Sequence, residues 1–464
     1  MKSSSYLLFL LTCYSTFTFG QENQGLVHDN FNPSNGQYIN PSNIVDSKVW
    51  LDINLFGANL YGRNNVGYFS NANWLDSESL EQDIQVKTNL KSVRGYGDFE
   101  VRGPSFSLNL GKNAISIYSG SRGIVNANKI PGQLAKYAIN ETLESSDIGL
   151  YNVKNARIKT MAWGEIGLTY GRILKAKGDN LWTGALTIKR IWGVQQANLL
   201  VNSAEIDVVA VNDVNLNSTN GKFSFVEPSL DAGKGVGASA GIHYKKMKSG
   251  VSRYIPHSKK SGCEQMNYVY KIGVSILDIG FVNFDKNTYF GTFDESLDIE
   301  NLNNFDELND EFRQNNDGEK IRSWLPGALS AQFDYNLNDF VYLNATVVQK
   351  TPFMSNVYGV ERTNLLGVSA RFESRYFGIG IPFSLENYVN PQLGLGVRFF
   401  NFSIGSDNVL PIFFKHQELR AGDIYFSLKF KLVNNPSCKS RISKSSRRHS
   451  RNQKRKNSFD CPSF

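Results

Sequence analysis

The segment from Asp423 to Leu432 alternates without an error, with Ile424, Phe426, Leu428, Phe430 and Leu432 on one face and Tyr425, Ser427, Lys429 and Lys431 on the other. A period of two marks a strand whose two faces meet different media. The same pattern recurs in Val49 to Leu55, with Asp52 and Asn54 opposite the apolar set. It returns in Ser105 to Leu110, and in the sets Ile166, Leu168, Tyr170; Tyr270, Ile272, Val274, Ile276; and Leu329, Ala331, Phe333, Tyr335. Further copies are Val341 to Val347, Leu366 to Phe372 and Leu393 to Phe399. So many one-sided apolar strands exceed what one sandwich core can bury. They fit a closed sheet with hydrocarbon outside and a polar bore inside, one of two backbone solutions a bilayer permits.

The expectation is therefore an all-β fold, a transmembrane antiparallel β-barrel of about 14 strands (about 12 to 16), with a short N-terminal plug and long extracellular loops. Four segments are expected: a signal peptide at 1–20, a plug or hatch at 21–47, the barrel at 48–435 and a basic disordered tail at 436–464. The leader reading rests on Lys2, the apolar stretch Tyr6 to Leu11 and small or polar residues before Gln21. A leader followed by barrel strands points to the bacterial outer membrane, with its lipid as the first partner and other envelope proteins as further ones. Nucleic acid is excluded, since that compartment does not hold it.

Composition agrees where it bears on the question. Beyond the leader no run of about 18 apolar residues occurs, and a negative mean hydropathy is what alternating strands give. Aromatic residues make up 12%, enough for girdles at both interfaces, with Trp50, Trp163, Trp182 and Trp192 expected as anchors near strand ends. The net charge of +8 belongs to the tail: residues 439–464 hold nine Lys or Arg against one Asp, leaving 41 of each sign elsewhere. Cys13, Cys263, Cys438 and Cys461 suggest neither a disulfide framework nor a zinc site, and five scattered histidines show no ligand spacing.

The inward faces supply the candidate lumen residues Glu165, Asp334, Arg371, Glu373, Arg398, Lys429 and Lys431. Tight connections at Asn336 to Asp339 and at Ser374-Arg375 read as periplasmic turns. The acidic stretch Asn283 to Arg322 reads as an extracellular loop carrying a short helix on Leu302, Phe305, Leu308 and Phe312. The basic stretch Lys245 to Lys260 reads as solvated loop. Pro382 inside Phe377 to Leu385 calls for a bulge or strand end, because a closed ring has no free edge to tolerate it.

Gly237-Ala238-Ser239-Ala240-Gly241 matches the nucleophile-elbow string, but Ile242, Tyr244 and Lys246 continue a strand, so no elbow is expected. With His243 on the same face as a polar wall residue, no enzymatic activity, catalytic residue, metal or cofactor is expected.

Ahead of the first strand, Asn32 to Asn35 and Asn40 to Asn43 repeat Asn-Pro-Ser-Asn, a string suited to short capped turns. Together with Leu51-Asp52-Ile53-Asn54-Leu55, Gly103-Pro104-Ser105-Phe106, Trp163-Gly164-Glu165-Ile166 and Gly405-Ser406-Asp407-Asn408, this resembles an uncharacterised family of Bacteroidota-type outer-membrane barrels. Its members are often followed by an OmpA-like domain, which this chain replaces with the basic tail. More remotely, the Asn-Pro element looks like the hatch of long-chain fatty-acid transporters, and that likeness implies a plug at Asn40 and Pro41.

Two functions are carried forward. The first is a non-enzymatic envelope scaffold or accessory subunit of a secretion or assembly machine. The alternative is a passive channel or transporter for a small solute, a hydrophobic one included.

Overall fold

The computed structural model describes residues 23–438 apart from 70–84, 88–89, 91, 133–134, 136–147, 211–212, 262, 264, 294–296, 300–319, 352–357 and 411–419. The leader, residues 439–464 of the basic tail and the expected acidic-loop helix lie outside the described residues, while 436–438 form a short helical turn. Fourteen antiparallel strands close into one ring, which is the expected architecture and count. They are β1 (Leu51–Asn64), β2 (Val93–Arg102 and Ser105–Leu110), β3 (Asn113–Ile130), β4 (Gly149–Lys177), β5 (Asn180–Ala210), β6 (Gly233–Met247) and β7 (Tyr268–Phe284). The ring continues through β8 (Ile321–Trp324 and Ala328–Asn336), β9 (Val341–Lys350), β10 (Leu365–Glu373), β11 (Phe377–Glu386), β12 (Asn390–Leu393 and Leu395–Phe399), β13 (Phe402–Ser406) and β14 (Ala421–Leu432). Closure runs from Leu51 opposite Leu432 to Arg63 opposite Ala421, with a register shift between Asn54 and Phe56. No described strand in the ring is left with an unpaired edge, which is what hydrocarbon demands.

The facing follows the sequence. Leu428 and Phe430 are exposed while Ser427 and Lys429 are buried, and the same alternation holds along β8 and β10. Two facing assignments differ. Trp182 stands on the outer surface as expected, but Trp163 is only 1% exposed and lies in the bore, because it shares the inward parity of Glu165. Val49, expected on the apolar face, is also buried, since it precedes the ring and packs inside.

Strands β4 and β5 have 29 and 31 residues, against the roughly 9–11 that cross a bilayer. Their far halves pair onward with strands Asp213–Val226, Thr288–Phe293 and Leu297–Ile299, so a sheet stands beyond the ring. It has a small core of its own around Val153, Ala156, Ala204, Ile206 and Val208. The tight connections after Asn336 and Glu373 lie at the end where the chain enters β1 and leaves β14, here called the turn end.

Pro382 sits within β11, paired with Ser369 of β10. Its carbonyl accepts from Gly394 N–H at 2.8 Å, so the proline's missing donor also points toward β12. There β12 is interrupted between Leu393 and Leu395. The expected irregularity is real, and the neighbouring strand supplies it.

One expectation on cysteine is overturned. Cys263 and Cys438 form a disulfide across 175 residues. Neither spacing nor count could announce it, because the ring, rather than the local sequence, brings the loop after β6 beside the end of β14.

Candidate functional site

The bore is filled from the turn end by residues 23–50. Each Asn-Pro-Ser-Asn string forms a short helical turn, α1 (Pro33–Gly36) and a 3-10 turn at Pro41–Ile44, because proline presets the first helical φ. Asn40 caps the second, accepting Ser42 N–H at 3.0 Å, whereas Asn32 makes no such bond to its own turn. The two strings instead dock on different walls. Asn32 Oδ1, Ser34 Oγ and Asn35 Oδ1 all accept from the Lys429 ammonium of β14, the latter two at 2.6 and 2.8 Å. Across the bore, Asn40 Nδ2 donates to Gln332 Oε1 at 3.0 Å and Ser42 Oγ lies 2.7 Å from Thr183 Oγ1. Gly241 permits this approach, since a Cβ there would collide with Asn40 Oδ1. The hatch candidates Asn40 and Pro41 thus touch the wall.

Charged pairs fix the rest of the segment. Arg398 donates to Asp29, and Asn30 Nδ2 donates to Glu373 at 2.9 Å. Arg371 spans from Glu373 (3.0 Å) to Asp334 (3.0 Å), which also accepts from Tyr268 Oη at 2.8 Å. Lys431 faces the same region, its ammonium buried without a hydrogen bond among the described residues. Six of the seven candidate lumen residues therefore gather around the N-terminal segment. The seventh, Glu165, lies farther up.

The basic stretch after β6 is a strap rather than a solvated loop. Asp46 accepts from Tyr254 Oη at 2.7 Å and from Lys245 Nζ at 3.0 Å, while His257 Nε2 sits 2.9 Å from the Ser47 carbonyl. Burial holds the His257 imidazole below its usual pKa, and the Ser47 carbonyl and Asp46 oppose this only in part. The Cys263–Cys438 bond ties the strap to the chain leaving β14.

Above the N-terminal segment lies a belt of ionised side chains. Asp278 accepts from Arg122 at 2.8 Å, from Arg362 at 2.9 Å and from Lys189. Lys189 also reaches Glu165 at 3.4 Å, and Glu165 accepts from Trp163 Nε1 at 3.1 Å. Beside them Arg102 donates to Glu100 at 2.6 Å. Asp278, Arg122, Lys189, Glu100 and Arg102 line a cavity of about 30 Å³, floored by Gln37 and Tyr38 of the N-terminal segment and reached from above by Arg362. That volume holds one or two waters.

The loop end is closed by an apolar layer. Val360 packs with Ile124, Met161, Trp163, Phe284 and Leu325, and Lys159 Nζ donates to the Gly359 carbonyl at 3.1 Å. Residues 358–364 therefore lie across the mouth.

Sequence reasoning missed Asp278, Arg122, Lys189 and Arg362. Arg122 and Lys189 carry a parity signal on β3 and β5. Asp278 does not, because a bulge with φ of 53° turns it inward beside Leu277, and Arg362 sits in a loop with no period. Ser239 stays on a continuous strand, where its hydroxyl accepts Asp278 N–H at 3.0 Å, so the elbow string forms no elbow.

Comparison with solved structures gives distant likenesses. The P. putida toluene transporter TodX is 7% identical, with 85% of this chain and 92% of that one covered and a TM-score of 0.39. A Pseudomonas aeruginosa FadL homologue is 7% identical over 89% and 98% of the two chains, with a TM-score of 0.24. The translocator domain of the autotransporter NalP from Neisseria meningitidis is 7% identical over 82% and 89%, with a TM-score of 0.30. Likenesses this remote carry no argument about function. No curated protein matches the chain. A family model does match, over residues 41–407, and this outer-membrane-type barrel belongs to that family of unknown function, DUF5723.

Proposed function

We propose that the protein is a passive, gated outer-membrane channel for a small polar solute, with residues 23–50 as the gate at the turn end. The observation that carries this reading is the ionised chamber in mid-bore, enclosed between two closures that the wall holds by polar and apolar contacts. A barrel serving only as scaffold would be filled most simply by apolar side chains, because buried ion pairs seldom repay their desolvation. Groups such as Asp278, Arg122, Lys189 and Glu165 make better sense as the lining of a path that is wet when open. The reading takes the second of the two sequence expectations, and the charged lining disfavours a hydrophobic solute.

Proteoliposomes test it. The wild-type protein should pass small polar solutes slowly, and the double variant Asn40→Ala, Lys429→Met should pass them several-fold faster. A folded barrel that passes nothing in either form would return the protein to an envelope scaffold.

A further inference from the structure

Resting on the channel reading, we infer that the chamber is a binding site for a small zwitterion carrying one carboxylate and one ammonium, whose carboxylate competes with Asp278 for Arg122 and Arg362 and so frees the loop over the outer mouth.

Asp278 is a wall carboxylate held by three cations. Arg122 comes from β3, Lys189 from β5 and Arg362 from residues 358–364 of the outer loop. A solute carboxylate presents the same two oxygens and can replace Asp278 at either guanidinium, each of which offers paired donors to such a group. Arg362 is the one cation of the three that does not belong to the wall. When Asp278 is replaced there by a mobile solute, the loop keeps Val360, the Lys159 contact, the two hydrogen bonds between the Asn126 side chain and the Glu361 backbone and the Lys350–Glu361 ion pair, but loses the buried ion pair that ties it down into the chamber.

Charge balance selects the zwitterion. Arg102, Arg122, Lys189 and Arg362 line the chamber against Asp98, Glu100 and Asp278, and Glu165, paired with Lys189 just behind the lining, makes four of each sign. A simple anion or cation would leave the enclosed space with an uncompensated charge, which is costly away from water. A molecule bearing both charges leaves it neutral, with Glu100 and the displaced Asp278 available to its ammonium. Since the closed cavity admits only water, binding requires the loop to lift, which couples recognition to opening.

The experiment is calorimetric titration of the full chain in lipid nanodiscs with L-alanine, acetate and methylammonium. Saturable one-site binding of L-alanine is expected, with acetate and methylammonium at least about ten-fold weaker. Arg122→Ala should abolish L-alanine binding. Asp278→Asn, nearly isosteric, leaves one excess cation, so preference should shift toward acetate. Absence of saturable L-alanine binding by wild-type protein, or binding unchanged in Asp278→Asn, overturns the inference. Solute flux through the Asn40→Ala, Lys429→Met barrel without L-alanine binding would sink the zwitterion site while leaving the gated channel standing.

Discussion

Lys429 and Ser34 are 395 residues apart in sequence and joined by a 2.6 Å hydrogen bond inside the bore. The ammonium faces the first Asn-Pro-Ser-Asn string, and Asp52 of β1 lies 3.7 Å away as its counter-charge. The strand that closes the ring therefore also holds the segment that fills it.

Lys429→Met should loosen that segment without opening the ring. Breaking one partner of a buried pair costs about 3–5 kcal/mol, here borne by Asp52, Asn32 and Ser34. Limited proteolysis should then cut within residues 23–50 many-fold faster than in wild type, with the barrel intact.

Gly380 lies against the Gly25 carbonyl so closely that an added Cβ would collide with it. Gly380→Val should displace the start of the N-terminal segment, at about 1–3 kcal/mol for overpacking. Bilayer recording should show longer openings than wild type, and unchanged closure would mean that the segment relaxes around the new side chain.

Val368 on β10 is 51% exposed on the outer face. If that face meets hydrocarbon, Val368→Arg should cost about 2–4 kcal/mol when the barrel folds into vesicles. Urea titration of the folded fraction measures it. A cost near zero would place this face in water.

His257 sets a pH dependence for the strap. Burial lowers its folded pKa, so the docked strap holds it neutral while a released strap takes a proton below about 6.5. Its contribution is complete above that pH and falls as pH drops through it. Protease cutting within residues 248–261 should rise between about pH 7 and pH 5 in wild type and stay flat in His257→Asn.

Much of the wall was legible because parity is a local property. Arg371, Glu373, Arg398 and Lys429 declare their side of the sheet from their neighbours alone. Trp163 was misplaced by favouring residue type over parity, although Glu165 two positions on gives its direction. Asp278 escaped because a bulge resets the alternation at Leu277. Arg362 and the Cys263–Cys438 bond depend on how loops cross the ring, which no period encodes. The Asn-Pro-Ser-Asn repeats announced turns, yet their use as docks on two walls needed the walls themselves.

Gating requires residues 23–50 to move within an intact barrel. Ser42 and Thr183, whose hydroxyls are 2.7 Å apart, allow a direct test by paired cysteine substitution and oxidation. In planar bilayers the wild-type protein and each single variant should show discrete openings, and the oxidised pair should show none. Openings that persist in the locked protein would show that residues 23–50 are not the gate.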